Sequence, residues 1–379
     1  MRVLWGEIRK LLWWRNLLIA FLLGAIYYWV IVWSLVGLFP NGHPMTEHHH
    51  YTQAWHDEFG PTLEPSEVAV IEARLAALVR EADAVIAADP TLAANGVTGW
   101  RAYTEREELN PETDPIVAEL LFQPGGLGWL IQGMGTDLEG YRPVGLDQLT
   151  PAQLARAEEI NRTGEWRSLQ SAELLQFLLD YPPRLAGLAI LIVLLIAAPL
   201  VTTDRVSRLR RLQLSTPTGR GLLGIQLIAT VTVTVSATAL LLVVTSLPLL
   251  GFGFATFWDT PIQSFTAGVL YPSVTLGQYC WLLAGTVLLA GLLAGFTGFA
   301  VSRANRAYPA LAISVMAGLA VGLPFSSTLL ELPVTYYALA ANLLGTPYAQ
   351  LIVPATLAAV ALAVCLVQVH RERTVDIDD

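Results

Sequence analysis

Six stretches of this chain are apolar over close to 20 residues each, and this pattern limits its fold more than any other feature. A helix needs about 20 apolar residues to cross the ~30 Å hydrocarbon core of a bilayer. We therefore predict an all-α polytopic membrane protein with six transmembrane helices. The predicted spans are 16–39, 184–203, 221–250, 277–301, 307–324 and 348–369.

Residues 40–183, between the first two spans, have the composition of a soluble domain. They hold 23 acidic and 8 basic residues, a net charge of −15, whereas the whole chain carries −9. Helical spacing and capping signals predict helices over 64–88, 150–161 and 168–181, so the domain is expected to be mostly helical. Its acidity argues against nucleic acid as a partner.

Basic residues predict how the chain is oriented. They cluster in four short segments, 1–15, 204–220, 302–306 and 370–379, which the positive-inside rule places in the cytoplasm. Both termini are then cytoplasmic and the protein is a multi-pass protein of the plasma membrane. The domain 40–183, the loop 251–276 and the segment 325–347 are then extracytoplasmic. Residues 1–15 are amphipathic and are expected to lie along the inner interface.

Histidines are dense where the domain 40–183 begins. Of these, His48, His50 and His56 are the weak candidates for a metal site, because imidazole is a common metal ligand. The spacing matches no ordered ligand set, so the favoured interpretation is a solvated linker without a metal.

The chain lacks the motifs of an enzyme. Its only lysine, Lys10, stands in Ile8-Arg9-Lys10-Leu11, so it cannot form the glycine-lysine phosphate loop of an ATPase. The predicted spans also contain essentially no acidic residue of the kind that couples carriers to ion gradients. An energy source outside this chain is therefore favoured.

Two sequence patterns within the predicted spans indicate either helix packing or a translocation path. Polar residues recur every fourth position in the third span, at Gln226, Thr230, Thr234 and Thr238, and share one face. They are expected either to line a translocation path or to hydrogen-bond to a neighbouring helix. Gly291 and Gly295 form a small-residue face in the fourth span, which is typical of close helix packing.

The loop 204–220 contains the most specific sequence motif of the chain. It begins at Asp204 and continues through a basic stretch to Leu-Gln-Leu-Ser-Thr-Pro-Thr-Gly-Arg, which ends at Arg220. This phrase resembles the first cytoplasmic loop of ABC-2 type permeases, the membrane subunits of one class of ABC exporter. The family often has Glu at the position of Asp204 and Lys near the position of Gln226. The segment 325–347 also resembles the short or re-entrant helices that the family places before its last span.

The resemblance implies a permease that couples to a separate ABC ATPase subunit, with a second permease subunit as a further partner. ATP and Mg²⁺ would bind to the ATPase, and this chain would need no cofactor. The coupling residues would be Asp204, Arg205, Arg208, Arg210, Arg211, Ser215, Thr216, Pro217 and Arg220. The alternative is a membrane-anchored receptor or scaffold, whose acidic domain binds a ligand without transport.

Overall fold

The computed structural model describes residues 2–374, except 107, 109, 148, 210–212, 214–218, 267–268, 270–272 and 332–348. These residues form helices and two isolated β-bridges, with no sheet among them. Six of the described helices are long and apolar enough to cross a membrane. The predicted fold class, an all-α polytopic membrane protein, is confirmed.

The chain divides into two compact units. We call the first the bundle, which comprises Met1–Gly37, Phe177–Leu250 and Gln278–Asp379. Its amino-terminal helix is Arg2–Leu11. The six spans are Trp14–Leu38, Ala172–Val206, Leu222–Gly251, Leu276–Ala304, Tyr308–Ser326 and Leu351–Glu372.

Three spans contain irregular turns or extensions. The first includes a π-helical turn, Tyr28–Val32. There the Ile31 carbonyl accepts a hydrogen bond from Arg184 at 2.9 Å. The third ends in a 3₁₀ turn, Leu247–Gly251. The helix of the fifth continues to Glu331, so the described part of the predicted segment 325–347 is helical and 332–348 lies outside the described residues.

The second span begins much earlier than the predicted residue 184. Its helix runs from Ala172 to Ala197 and contains Pro182 and Pro183, and a short helix, Pro199–Val206, follows. A proline removes one N–H donor from a helix, which marks a boundary in sequence but is tolerated where neighbouring elements hold the helix. The predicted helix 168–181 and the predicted span thus form one helix.

The second unit, which we call the split domain, is built from Leu38–Gln176 and Gly251–Gly277. Its described helices are Met45–Phe59, Pro65–Ala87, Pro90–Ala94, Trp100–Thr104, Asp114–Leu121, Leu127–Gly140 and Pro151–Thr163, with a 3₁₀ turn at Glu165–Arg167. Capping boxes open two of them, through Glu64 with Glu67 and Thr150 with Gln153. Each box satisfies N–H groups that the first helical turn leaves unpaired.

Apolar side chains on the long helix Pro65–Ala87 join two hydrophobic clusters of the split domain. Val68 and Ile71 pack with Tyr51, Trp55 and Met134 in one cluster. The other holds Ala82, Ile86, Leu92, Val97, Val117, Leu121 and Ile131. Burying a side chain such as Ile71 contributes about 1.5–3 kcal/mol, so this helix holds the unit together.

The loop predicted over 251–276 is part of the split domain. Phe252 stacks on Phe39 with ring centroids 4.2 Å apart. His56 Nε2 lies 2.8 Å from Thr260 Oγ1, and Phe265 meets the edge of Tyr141. The two segments must therefore lie on the same side of the membrane. This requires the second and third spans, which separate them in sequence, to cross the membrane in opposite directions.

Candidate functional site

A buried polar cluster joins the amino-terminal helix, the end of the second span and the start of the third. Asp204, where the predicted coupling loop begins, is only 2% exposed, and Glu7 and Gln226 are 4% and 3% exposed. The amino-terminal helix brings Glu7 and Lys10 to one side through their i, i+3 spacing. Its apolar residues Leu4, Ile8 and Leu11 pack with side chains of the second and third spans.

Lys10 lies between the two carboxylates. Its Nζ is 2.7 Å from Glu7 Oε1 and 3.1 Å from both oxygens of Asp204. Gln226 Nε2 donates to Glu7 Oε2 and to Asp204 Oδ2, each at 2.9 Å. Partial burial lowers the pKa of Lys10, but the hydrogen bonds and charges of Glu7 and Asp204 outweigh it, so that pKa is raised above its ordinary value.

The chemistry of the cluster suits a link between helices. One ammonium faces two carboxylates, so the three groups together carry a net charge of −1 when all are ionised. Charge-assisted hydrogen bonds of this kind are about twice as strong as neutral ones. Asp204 is thereby fixed to the amino-terminal helix and to the third span at once.

A second set of contacts links the short helix Pro199–Val206 to the end of the fourth span. Ser302 Oγ accepts hydrogen bonds from the backbone N–H groups of Val201 and Thr202 at 2.9 and 3.1 Å. These donors lie in the first turn after Pro199, where a helix leaves N–H groups unpaired. Arg205 donates to the carbonyls of Arg303 and Asn305 at 2.5 and 3.0 Å.

Arg303 continues this connection to the sixth span. Its Nη2 forms an ion pair with Glu372 Oε2 at 2.7 Å. The four segments predicted to be cytoplasmic are therefore in contact with one another through Lys10, Asp204, Arg303 and Glu372. That is the arrangement expected if all four lie on the same side of the membrane.

The remaining predicted coupling residues are only partly placed. Arg208 is exposed and has a positive φ of 59°. The backbone of Arg220 belongs to a 3₁₀ turn, Gly219–Gly221. Arg210, Arg211, Ser215, Thr216 and Pro217 lie outside the described residues, so their role stays a prediction.

The polar stripe of the third span has two parts. Gln226 belongs to the buried cluster, and Thr230 Oγ1 donates to the Gln226 carbonyl at 2.9 Å. Thr234 and Thr238 face the fourth span. A Cβ at Gly295 would lie 2.5 Å from Thr234 Oγ1, and one at Gly291 would lie 2.5 Å from Thr238 Oγ1.

The glycines of the fourth span thus make room for the threonines of the third. Of the two alternatives for the stripe, this geometry favours helix packing at Thr234 and Thr238. The fourth and third spans approach closely only because positions 291 and 295 have no side chain.

Replacing Gly295 by leucine should destabilise the bundle by about 1–3 kcal/mol, because the new side chain overpacks against Thr234. Thermal unfolding of the full chain in detergent would measure this. Gly285→Leu is the matched control, since a Cβ at Gly285 of the same span meets nothing within 4 Å. Equal melting temperatures for the two variants would contradict the packing interpretation.

The predicted solvated linker is instead mostly a helix with one buried face, Met45–Phe59, which carries His48, His49, His50 and His56. The helix Met45–Phe59 buries His48, His49, Tyr51, Thr52 and Trp55. The spacing of His48, Tyr51, Thr52 and Trp55 places them on one face, and that helical signal was present in the sequence.

His48 lies between two carboxylates of the split domain. Its Nε2 is 2.7 Å from Asp137 Oδ2 and its Nδ1 is 2.5 Å from Glu173 Oε1. Tyr51 Oη donates to Asp137 Oδ2 at 2.6 Å. Burial lowers the pKa of His48, but the two carboxylates outweigh it and raise that pKa to about 10. His48 is therefore an imidazolium that neutralises buried acids.

The three weak metal candidates are not brought together. Both ring nitrogens of His48 are occupied by carboxylates, His50 is exposed, and His56 bonds to Thr260. Within the described part of the chain, no three His, Cys, Asp or Glu side chains form a group that could hold a metal ion. Burial lowers the pKa of His49 and of His56, as expected for imidazoles held neutral.

Comparisons with protein-family models, curated proteins and solved structures found no match to this chain. Its function is therefore inferred from its own residues.

Proposed function

We propose that this chain is the membrane-spanning permease subunit of an ATP-driven ABC-2 type exporter, coupled to a separate ATPase subunit in the plasma membrane. The observation that carries the proposal is the attachment of Asp204. The loop resembling the family's coupling loop begins at a residue that is fixed to the amino-terminal helix and to the third span.

This attachment suits a coupling element. A loop that moved freely would absorb a displacement imposed by a partner, whereas a loop anchored by charge-assisted bonds passes it to the helices that hold it. Through Arg205 and Ser302 the same segment also contacts the end of the fourth span. A displacement of the loop would therefore be transmitted to several spans.

The lysine supports an external energy source. Phosphate-binding loops use a lysine that follows glycine and reaches the nucleotide phosphates. Lys10 instead stands within the helix Arg2–Leu11 and is bound by Glu7 and Asp204. The proposal therefore assigns ATP and Mg²⁺ to the partner. It also assigns both termini of this chain to the cytoplasm, as the positive-inside rule predicts.

A receptor or scaffold would need fewer membrane spans than this chain has. One or two helices suffice to anchor a ligand-binding domain, whereas this chain has six described spans with close packing between the third and fourth. The exporter is therefore favoured. An adjacent gene would discriminate the two, since an ATPase gene supports export and a kinase gene supports sensing.

The test is to purify the tagged full chain from its native membranes in mild detergent and to measure ATP hydrolysis and photolabelling by azido-ATP. We expect a separate polypeptide to be labelled and this chain to remain unlabelled. Arg208→Glu should reduce the co-purified ATPase activity more than tenfold, since losing a buried charge contact on docking costs about 2–5 kcal/mol.

Arg306→Glu is the control for that variant. Arg306 is likewise exposed in a predicted cytoplasmic loop, so its reversal changes the charge of the same side without touching the coupling loop. Absence of any ATP-binding polypeptide, labelling of this chain itself, or equal losses in the two variants would overturn the proposal.

A further inference from the structure

A cavity of about 360 Å³ lies beside the amino-terminal helix, at the level where the first span begins and the second ends. Arg9, Lys10, Trp13 and Asn16 line it from the amino-terminal segment. Thr203 and Asp204 line it from the end of the second span, and Ser207 lines it from the next residue after that span. Its inner wall is apolar and includes Leu11, Ile196 and Leu200. An apolar wall below a polar rim is the surface that an amphiphile requires.

We propose that this cavity binds the headgroup and upper acyl chain of an anionic phospholipid. The position of the cavity supports a lipid ligand. Trp14 begins the first span and Val206 ends the second, so we expect the rim at the depth of the lipid phosphates. Tryptophans are enriched at that level because their rings are amphipathic, and Trp13 lines the cavity.

Charge favours an anionic headgroup. Residues 2–15 carry Arg2, Arg9, Lys10 and Arg15 against the single acid Glu7, a net charge of +3. The acid Asp204 also lines the cavity, but it is paired with Lys10. The exposed Arg9 is therefore the cation of the described lining that we expect to bind a phosphate. A guanidinium suits a phosphate because its fork of donors can bind two oxygens at once.

The apolar wall of the cavity distinguishes a lipid from a soluble phosphate. Leu11 and Leu200 belong to the hydrophobic cluster under the amino-terminal helix and present carbon surface to the cavity. A soluble phosphate would gain nothing from that wall, whereas an acyl chain gains the burial of its methylenes. This proposal concerns lipid binding alone, so it holds or fails independently of the exporter proposal.

The test uses the purified full chain in phosphatidylcholine nanodiscs to which phosphatidylglycerol is added in steps. Native mass spectrometry would count the lipids that remain bound. We expect saturable retention of phosphatidylglycerol that phosphatidylcholine does not replace. Arg9→Gln should weaken it about fivefold, the usual effect of one cation near a lipid surface.

Two further variants separate the site from general charge attraction. Arg2→Gln removes the same charge from the same helix, but Arg2 does not line the cavity, so retention should not change. Ser207→Trp keeps every charge and fills the cavity from the residue after the second span, so retention should fall. Each variant is compared at matched size-exclusion elution, which reports that it is folded.

Three outcomes would overturn the proposal. Equal retention of the two lipids would mean ordinary annular contact. Equal losses for Arg2→Gln and Arg9→Gln would mean attraction to the helix as a whole. Displacement of the lipid by glycerol 1-phosphate at similar concentration would mean that the site binds a soluble phosphate instead.

Discussion

Replacing His48 by leucine is expected to destabilise the split domain by about 3–5 kcal/mol, the usual effect of removing one partner from a buried ion pair. Asp137 and Glu173 would keep their positions around an apolar side chain and lose the imidazolium between them. Tyr51 would still donate to Asp137, but a neutral hydroxyl cannot offset two carboxylates. Chemical denaturation of the full chain in detergent, followed by tryptophan fluorescence, would measure the loss.

A triple variant provides the control. His48→Leu combined with Asp137→Asn and Glu173→Gln removes the whole set of charges, and replacing a complete buried network by neutral groups is often nearly neutral in stability. The triple variant should therefore be more stable than His48→Leu alone. If it is less stable, shape rather than charge dominates this site.

The pH dependence of the same comparison has a definite sign. The pKa of His48 is raised from 6.5 to about 10 on folding, so its stabilising contribution is complete below 6.5 and is lost as the pH rises toward 10. The difference between wild type and His48→Leu should shrink between about pH 7 and about pH 9. His49 and His56, whose pKa values are lowered, stay neutral in that window. A difference that grew with pH would contradict the assignment.

The second large effect is expected at Asp204. Asp204→Ala removes the acceptor for Lys10 and for Gln226, leaving the Gln226 amide short of a partner and Lys10 with Glu7 alone. We expect a loss of about 3 kcal/mol, at the lower end for a buried pair because the Lys10 side chain is 36% exposed and thus screened. Thermal unfolding in detergent would measure it.

Two controls accompany this variant. Asp204→Asn keeps an oxygen acceptor and should lose less stability than Asp204→Ala. Asp259→Ala removes an exposed acid and should change little. Trypsin should also cleave after Arg9 or Lys10 faster in Asp204→Ala, since the amino-terminal helix loses its ionic attachment. Equal melting temperatures for the two alanine variants would show that the cluster contributes nothing to the bundle.

The fold class could be predicted from the sequence because apolar length directly determines whether a helix can cross a membrane. Boundaries were harder wherever a local signal competed with packing. One predicted helix ended at residue 181 and the next began at residue 184, yet the helix Ala172–Ala197 runs through Pro182 and Pro183 between them. The segment 251–276 was predicted as a separate loop because nothing in its own residues shows that it packs against residues 39–141.

The site was only half predictable, for a related reason. Asp204 was singled out because it begins the loop that resembles a family motif, and Gln226 because it belongs to the polar stripe of the third span. Their partners Glu7 and Lys10 were not, since 194 residues separate Lys10 from Asp204. Composition shows that a buried charge needs a partner, but only the packed helices decide which one approaches. The same holds for His48 and Glu173, which are 125 residues apart.

The division of the split domain between two chain segments sets an order for biosynthesis. Its first segment, Leu38–Gln176, is synthesised before most of the second span and before the third span, and the contacts of His56 and Phe39 with the second segment must wait until Gly251–Gly277 has been synthesised. During that interval the aromatic face of Phe39 is uncovered. A nascent chain arrested before residue 251 should therefore be digested by protease more readily in this domain than one arrested after residue 277. Chaperones on the domain's side of the membrane would find the face of Phe39 exposed.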